Sequence, residues 1–325
     1  MSNKKSREKT FNNWRQSLKI KFLPIFLLSF LFLFLPGNSY YETLSFSYQQ
    51  PPFEVPVLPS LPDLPKRRFS FSPQLTARAA CLIDFDSGLY LFEKNKDEAL
   101  PPASLTKLMT ALVVLDNFSL DQVIAVGQPE NYGQIMGLKE KEIISVGHLL
   151  DALLIFSAND AAYALADAYP GGRAAFIAEM NRRAKELGLT NTHFTNPNGR
   201  YDPNHYSTAA DLAKLAMVAW RREEIRRTVA QKEKVVCDVS GEICHPLFST
   251  NELLGFFPGT LGLKTGFTEE AGECFIGFFE ENGRRFLSVV LGSKDRFRDT
   301  QELVGWGMVN FSYQPLIEEA LTAGM

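Results

Sequence analysis

The 325-residue chain is short of histidine and cysteine, with four of each. His148, His193, His205 and His245 form no His-x-x-x-His pairing, which argues against a zinc hydrolase. No serine sits in a Gly-x-Ser-x-Gly elbow, so Ser-His-Asp chemistry is disfavoured as well. Four cysteines are too few for a disulfide scaffold. Charge of one sign is also lacking: 34 basic against 37 acidic residues leave a net charge of −3, without the electrostatic footprint of a nucleic-acid binder. No internal repeat is evident. What remains is a globular composition, 45% apolar and 22% charged, rich enough in apolar residues to bury a large core.

The averages conceal a change of character after about residue 70. Lys4, Lys5, Arg7, Lys9, Arg15, Lys19 and Lys21 face a single acid, Glu8, in segment 1–21. An apolar run of 14 residues from Phe22 to Leu35 follows and closes on Pro36-Gly37. A basic flank before such a run reads as an export signal. It is short of the roughly 17–25 residues that a comfortable membrane span needs. Segment 22–36 is therefore a signal peptide or a signal anchor. Gly37 and Ser39 are the small residues available for cleavage, and no Ala-x-Ala site is present. Six prolines between Gln50 and Pro65 make segment 37–68 an extended, semi-rigid spacer. A stalk makes most sense when its far end is held, which favours a retained anchor with the basic flank in the cytoplasm and the domain outside.

Segment 69–315 reads as one domain, with 316–325 as a short acidic tail. Ala79 to Phe92 has the pattern of a hairpin turning at Asp86-Ser87-Gly88. From about Ala103 a helix places Leu105, Leu108, Met109, Leu112 and Val113 on one face. Ser145 is the expected N-cap of a second helix with Val146, Leu149, Leu150, Leu153 and Leu154 as its buried stripe. Helical patterns continue over Asp160–Tyr169 and Arg173–Leu187 and after Ser207. Strands return at Leu261–Phe267, and Cys274–Phe279 pairs with Phe286–Leu291 across Asn282-Gly283. A last helix spans Arg298–Val309. Strands at both ends of a mostly helical middle imply an α+β fold, with one antiparallel sheet covered by helices.

Ser104 and Lys107 lie three apart at the start of the first helix, on the same face and one turn apart. A serine becomes a nucleophile when a base takes its proton, and a lysine can be that base once burial or a nearby cation lowers its pKa. The unpartnered N–H groups of the first turn, Ser104's among them, can donate to an oxyanion. Ser157-Ala158-Asn159 falls between two helical runs, either on a loop facing a cleft or as a plain helix cap. Lys264-Thr265-Gly266 ends a strand with three glycines in eight residues, a pattern that admits close approach of a ligand backbone. Lysine and threonine there can hold a carboxylate, and Gly266 lets a peptide pair along the edge.

Each motif alone is common. In this order, about 50 and about 105 residues apart, Ser-x-x-Lys, Ser-x-Asn and Lys-Thr-Gly form the signature of penicillin-binding proteins and serine β-lactamases. The chain resembles the low-molecular-mass penicillin-binding proteins of the D-alanyl-D-alanine carboxypeptidase type. The likeness also rests on Pro102–Thr110, on Ser157–Ala162, on His193–Gly199, on His205–Ala213 and on Lys264–Gly272, and covers about residues 75–310. It implies a β-lactamase/transpeptidase-like domain with an antiparallel sheet flanked by helices plus a helical subdomain. The implied activity is removal of the terminal D-alanine from peptidoglycan stem peptides ending in D-Ala-D-Ala. β-Lactams would be covalent inhibitors, no cofactor or metal would be needed, and the enzyme would work outside the cytoplasmic membrane.

Residue by residue, the resemblance implies attack by Ser104 with Lys107 as base, a proton relay through Ser157, and orientation of the substrate amide by Asn159. Lys264 would keep the field positive, Thr265 would bind the terminal carboxylate, and the N–H groups of Ser104 and Phe267 would form the oxyanion hole. Arg296 either assists with the carboxylate or is a plain surface arginine. Ala158 replaces a glycine frequent in the family, with a mild effect expected. The β-rich second domain and C-terminal membrane helix of many members have no counterpart in the roughly 60 residues after Lys264, so anchoring is expected at the N-terminus.

Two other readings stand against this one. A serine β-lactamase would need a Glu-x-x-x-Asn loop, and the near match, Glu186 with Asn191, is one residue too long. A catalytically silent wall-binding protein would lack a working nucleophile. Cys237 and Cys244 flank a possible hairpin tip, either as a disulfide formed after export or as two buried thiols. Cys81 and Cys274 fall in strands as small apolar side chains.

Overall fold

The computed structural model describes residues 63–314. The basic segment, the apolar run, most of the proline-rich spacer and the tail lie outside the described residues. Among the described residues no helix is long and apolar enough to cross a membrane.

Strand β1 (Leu64–Arg67) is followed by β2 (Ala79–Asp84) and β3 (Tyr90–Lys94). A 3₁₀ turn (Ala103–Thr106) leads into α1 (Lys107–Asn117), then β4 (Val123–Ala125), β5 (Ile143–Ser145) and α2 (Val146–Asp151). A π-helical turn (Ala152–Phe156) precedes α3 (Asn159–Asp167) and α4 (Gly172–Glu186), and then come α5 (Ala209–Trp220) and α6 (Glu223–Val229). The described residues end with β6 (Glu233–Cys237), β7 (Cys244–Phe248), β8 (Thr260–Thr268), β9 (Gly272–Glu281), β10 (Arg284–Ser293), α7 (Arg296–Asn310) and β11 (Phe311–Gln314).

Five strands form the central antiparallel sheet in the order β3-β2-β10-β9-β8, so the chain's early hairpin joins its late strands through β2 and β10. The sheet is buried on both faces, and alternation along each strand sorts side chains between two cores. Ala79, Cys81 and Ile83 of β2 and Ile276 and Phe278 of β9 pack with the helices α1 to α6. Ala80, Leu82, Phe275 and Phe286 pack against Leu303, Val304 and Trp306 of α7. Burial pushes the Cys81 thiol up to about 12 and that of Cys274 up to about 11, so both are inert packing groups.

The expected hairpin turn is present, with Asn282 at φ 52° and Gly283 at φ 71°. Three features depart from the sequence pattern. Leu64–Arg67, within the span read as linker, pairs antiparallel with β11, with Leu64 opposite Gln314 and Arg67 opposite Phe311. The first helix begins four residues after Ala103, because Ala103–Thr106 winds as 3₁₀. The second helix finishes in the π turn, which leaves Ser157 in the left-handed region at φ 63°.

Cys237 and Cys244 are joined by a disulfide across the β6–β7 hairpin, whose tip donates Val239 N–H to Ile143 O at 2.8 Å. Closing so short a loop should contribute about 2–3 kcal/mol by restricting the unfolded chain. The double replacement Cys237→Ser with Cys244→Ser is therefore expected to lower the thermal midpoint by several degrees, read by differential scanning calorimetry.

Candidate active site

Three structural elements meet at one cleft of about 800 Å³, lined among others by Ser104, Ser157, Asn159, Thr265, Phe267 and Arg296. The 3₁₀ turn brings Ser104 and the first residue of α1, Lys107, onto one line, since residues three apart eclipse in such a turn. Lys107 Nζ donates to Ser104 Oγ at 2.8 Å, to Asn159 Oδ1 at 2.8 Å and to Asn198 O at 3.0 Å. The lysine is wholly buried, and burial lowers its pKa to about 7 against a smaller opposing pull from Asp160. At neutral pH a large share of the molecules therefore carry an unprotonated amine beside the serine hydroxyl.

The turn after α2 supplies the second group. Ser157 has the strained left-handed backbone noted above, and its Oγ accepts from Lys264 Nζ at 2.7 Å. Ser157 does not cap α3; Ala158 occupies that position at φ −60°, ordinary for alanine, so its extra methyl is accommodated. Asn159 is held on both sides, its N–H by Gln134 O at 2.7 Å and its Nδ2 by Tyr132 O at 2.9 Å.

The third group comes from β8, the edge of the central sheet. A Cβ on Gly266 would lie 3.1 Å from Ser104 N and 3.2 Å from Pro102 O, so glycine lets the edge strand lie against the nucleophile turn. Thr265 Oγ1 shares a hydrogen bond of 2.6 Å with Thr250 Oγ1. Arg296, at the start of α7, donates from Nη1 to Gly266 O at 3.2 Å and lines the cleft. Lys264 is wholly buried, and burial together with Lys107 and Arg296 pushes its pKa far below the usual lysine range.

The three motifs agree with a family comparison. A model of the family described as D-alanyl-D-alanine carboxypeptidase matches residues 67–295. The chain belongs to the D-alanyl-D-alanine carboxypeptidase family. It is 33% identical over 256 residues to D-alanyl-D-alanine carboxypeptidase DacF of Bacillus subtilis, covering 76% of this chain and 66% of the relative. Identity to DacC of Escherichia coli is 38% over 253 residues, 73% of this chain and 62% of the relative. The chain thus spans just under two thirds of the length of these relatives. Among solved structures it is similar to penicillin-binding protein D2 of Listeria monocytogenes in its ampicillin-bound form, with a TM-score of 0.65 and 36% identity over 72% of this chain and 98% of that one. These likenesses bear out the family and the α+β fold of antiparallel sheet flanked by helices.

Several groups in this family member's cleft were not singled out from the sequence. Asn198 contributes only its carbonyl to Lys107, and a backbone atom leaves no trace in residue type. Gly199 packs on Ala103, and His205 braces the same turn through Thr106, with Nε2 at 2.8 Å from Thr106 Oγ1. Burial lowers the His205 pKa to about 4, keeping it neutral. The stretch His193–Gly199 stood out only through the family likeness, and its contact with the nucleophile turn was not legible. Glu186 and Asn191, the near match to a β-lactamase loop, stand elsewhere: Glu186 bonds Arg182 and Arg183 at the end of α4, and Asn191 N–H bonds Asp211.

Proposed function

We propose that this chain is a serine D-Ala-D-Ala carboxypeptidase that removes the terminal D-alanine of peptidoglycan stem peptides through an acyl-enzyme on Ser104. The observation that carries the reading is a buried lysine, with its pKa lowered to about 7, whose amine lies 2.8 Å from a serine hydroxyl in an open cleft.

The residues divide the work as follows. Lys107 Nζ takes the Ser104 hydroxyl proton as Oγ attacks the carbonyl carbon of the penultimate D-alanine. The N–H groups of Ser104 and Phe267 receive the oxyanion, a contribution of about 2.7–4 kcal/mol per donor where such donors have been removed. Ser157, in contact with Lys264, passes a proton to the departing amine. Asn159 orients the substrate amide, and Thr265, with Thr250 behind it, and Arg296 receive the terminal carboxylate. That carboxylate also draws a proton back onto Lys264, since an anion offsets the burial that keeps the amine neutral. Water then releases the acyl group. β-Lactams would acylate Ser104 by the same attack and stay bound.

The basic segment and apolar run would hold the enzyme to the outer face of the cytoplasmic membrane, with residues up to about 62 as spacer. The disulfide supports an oxidising compartment.

The test is incubation of the full chain with a pentapeptide stem, scoring free D-alanine, with Ser104→Ala as the inactive control. Release by the alanine variant at the wild-type rate overturns the assignment of Ser104. A chromogenic cephalosporin should show one rapid turnover and then slow hydrolysis, with a long-lived Ser104 adduct by mass spectrometry. The site of Glu186 away from the cleft supports that expectation, and rapid sustained hydrolysis would return the β-lactamase reading.

A further inference from the structure

His245 of β7 and Glu142, just before β5, are buried together, with side chains 6% and 0% exposed. His245 Nε2 meets Glu142 Oε1 at 2.8 Å, and Nδ1 meets Met136 O at 3.1 Å. A carbonyl only accepts, so Nδ1 carries a hydrogen. Its other nitrogen then faces a carboxylate, and one further proton must lie between them. The pair therefore holds a shared proton and makes directed contacts on both sides of the ring. Glu142 Oε2 accepts Lys139 N–H at 2.9 Å, which closes the same loop from its other end.

That loop connects β4 to β5 and forms one wall of the cleft. Beyond Met136 its N–H groups at Met136, Gly137 and Leu138 all donate to the Asp160 carboxylate, at 3.0, 2.9 and 3.1 Å. Before it, Tyr132 O and Gln134 O hold the side chain and backbone of Asn159. Asn159 Oδ1 in turn accepts from Lys107. Hydrogen bonds joined by a short run of loop backbone, Gln134 to Met136, lead from the β6–β7 hairpin to the base beside Ser104.

From this continuity, and resting on the serine-acylation reading above, we infer that His245 and Glu142 form a latch that positions the 126–142 loop, and through it Asn159 and Lys107, for acylation of Ser104. They are positioning residues and touch no substrate. A stability role alone explains the pair poorly. Burying two ionisable groups is costly, and apolar side chains of similar size commonly serve stability as well or better. What an apolar pair cannot supply is a fixed partner for Met136 O and Lys139 N–H, and so a fixed path for the backbone that carries Tyr132 O and Gln134 O.

The chemistry predicts an unequal set of variants. Glu142→Gln can keep the latch: its amide oxygen accepts from Lys139 N–H while its NH₂ donates to the Nε2 of a neutral His245. His245→Leu and Glu142→Ala break it. The experiment uses the full chain and a fluorescent penicillin, recording both the number of adducts per chain and the acylation rate per adduct-forming site. The wild type and Glu142→Gln should agree in rate within about threefold. The two breaking variants should reach nearly one adduct per chain but at least about tenfold more slowly, as expected when reacting groups shift by a fraction of an ångström. A structural role alone would instead reduce the number of sites and leave the rate per site unchanged, and that result overturns the inference. Should both breaking variants fail to fold, Glu142→Asp carries the same comparison, with a slowed rate in support and an unchanged rate against. Absence of any adduct in the wild type sinks the acylation reading itself, and the latch with it.

Discussion

Replacing Lys107 with methionine should slow acylation of Ser104 by about 10³–10⁴-fold, the upper range for a positioned general base. Methionine keeps the length of the side chain and its burial among α1 neighbours, so the protein should still fold. It removes the one amine within 2.8 Å of the Ser104 hydroxyl, leaves Asn159 Oδ1 without its donor, and leaves Asn198 O with only the Ser104 hydroxyl at 3.4 Å. Stopped-flow acylation by a fluorescent penicillin measures the rate directly. A methionine variant within tenfold of wild type would transfer the base role to another group, with Lys264, against Ser157, as the candidate.

The same lysine sets a pH dependence with a definite sign. Its pKa is lowered by burial to about 7, and the competent base is the neutral amine. Acylation of the wild type should therefore fall about tenfold per pH unit below about 7 and level off above it. Stability follows in the opposite sense to an ordinary ion-paired lysine. The unfolded chain holds a proton on this lysine up to its usual value near 10.5, while the folded one has released it above about 7. Between these limits the unfolded state binds more protons, so this group's penalty is full below about pH 7 and is relieved as the pH rises. The thermal midpoint of Lys107→Met relative to wild type should accordingly stand highest in acid and decline toward pH 10. A difference independent of pH would mean that the folded lysine titrates at its ordinary value.

How much of this site could be seen in the residue string depended on whether a group acts through its side chain or its backbone. Ser104 and Lys107 were visible because their spacing of three is itself the geometry, which the 3₁₀ turn then makes collinear. The β9–β10 hairpin was visible because Asn-Gly is one of few pairs suited to two positive φ angles in succession. The carbonyls of Tyr132, Gln134 and Asn198, which fix Asn159 and Lys107, carry no residue signature. The π turn before Ser157 was hidden because Val146 to Leu154 presents an unbroken helical stripe, and only contacts beyond the segment decide its last turn. The pairing of β1 with β11 joins residues at opposite ends of the described chain, and the sequence Leu-Pro-Lys-Arg offers no alternation to suggest a strand. His245 stands in no motif of the sequence. Its partner lies 103 residues away, so the pair has no local pattern at all.

Gly199→Ala should be the most damaging substitution outside the three motifs. Gly199 sits at φ 84°, which an alanine adopts only with strain. The larger obstacle is space: a Cβ there would stand 1.8 Å from Ala103 O, 2.3 Å from Ala103 C and 2.9 Å from Thr106 Oγ1. Two of these atoms are backbone of the turn that presents Ser104, so no side-chain rotation relieves the clash. Either the Asn196–Gly199 turn or the nucleophile turn must move. The first withdraws Asn198 O from Lys107 Nζ; the second shifts Ser104 and strains Ala103 beyond its present φ of 47°. Loss of about 3–5 kcal/mol of stability is expected, the range of severe single substitutions. The protein that does fold should be acylated at least about 100-fold more slowly, because the serine and its base no longer share one geometry. Thermal unfolding gives the first quantity, and the acylation rate per adduct-forming site gives the second. Gly283→Ala makes the comparison sharp, for its φ of 71° imposes similar backbone strain while its Cβ would meet nothing within 4 Å. That variant should lose stability modestly and acylate at the wild-type rate. Equal damage from both alanines would assign the effect to backbone conformation and remove the contact between Gly199 and Ala103 from the account of the active site.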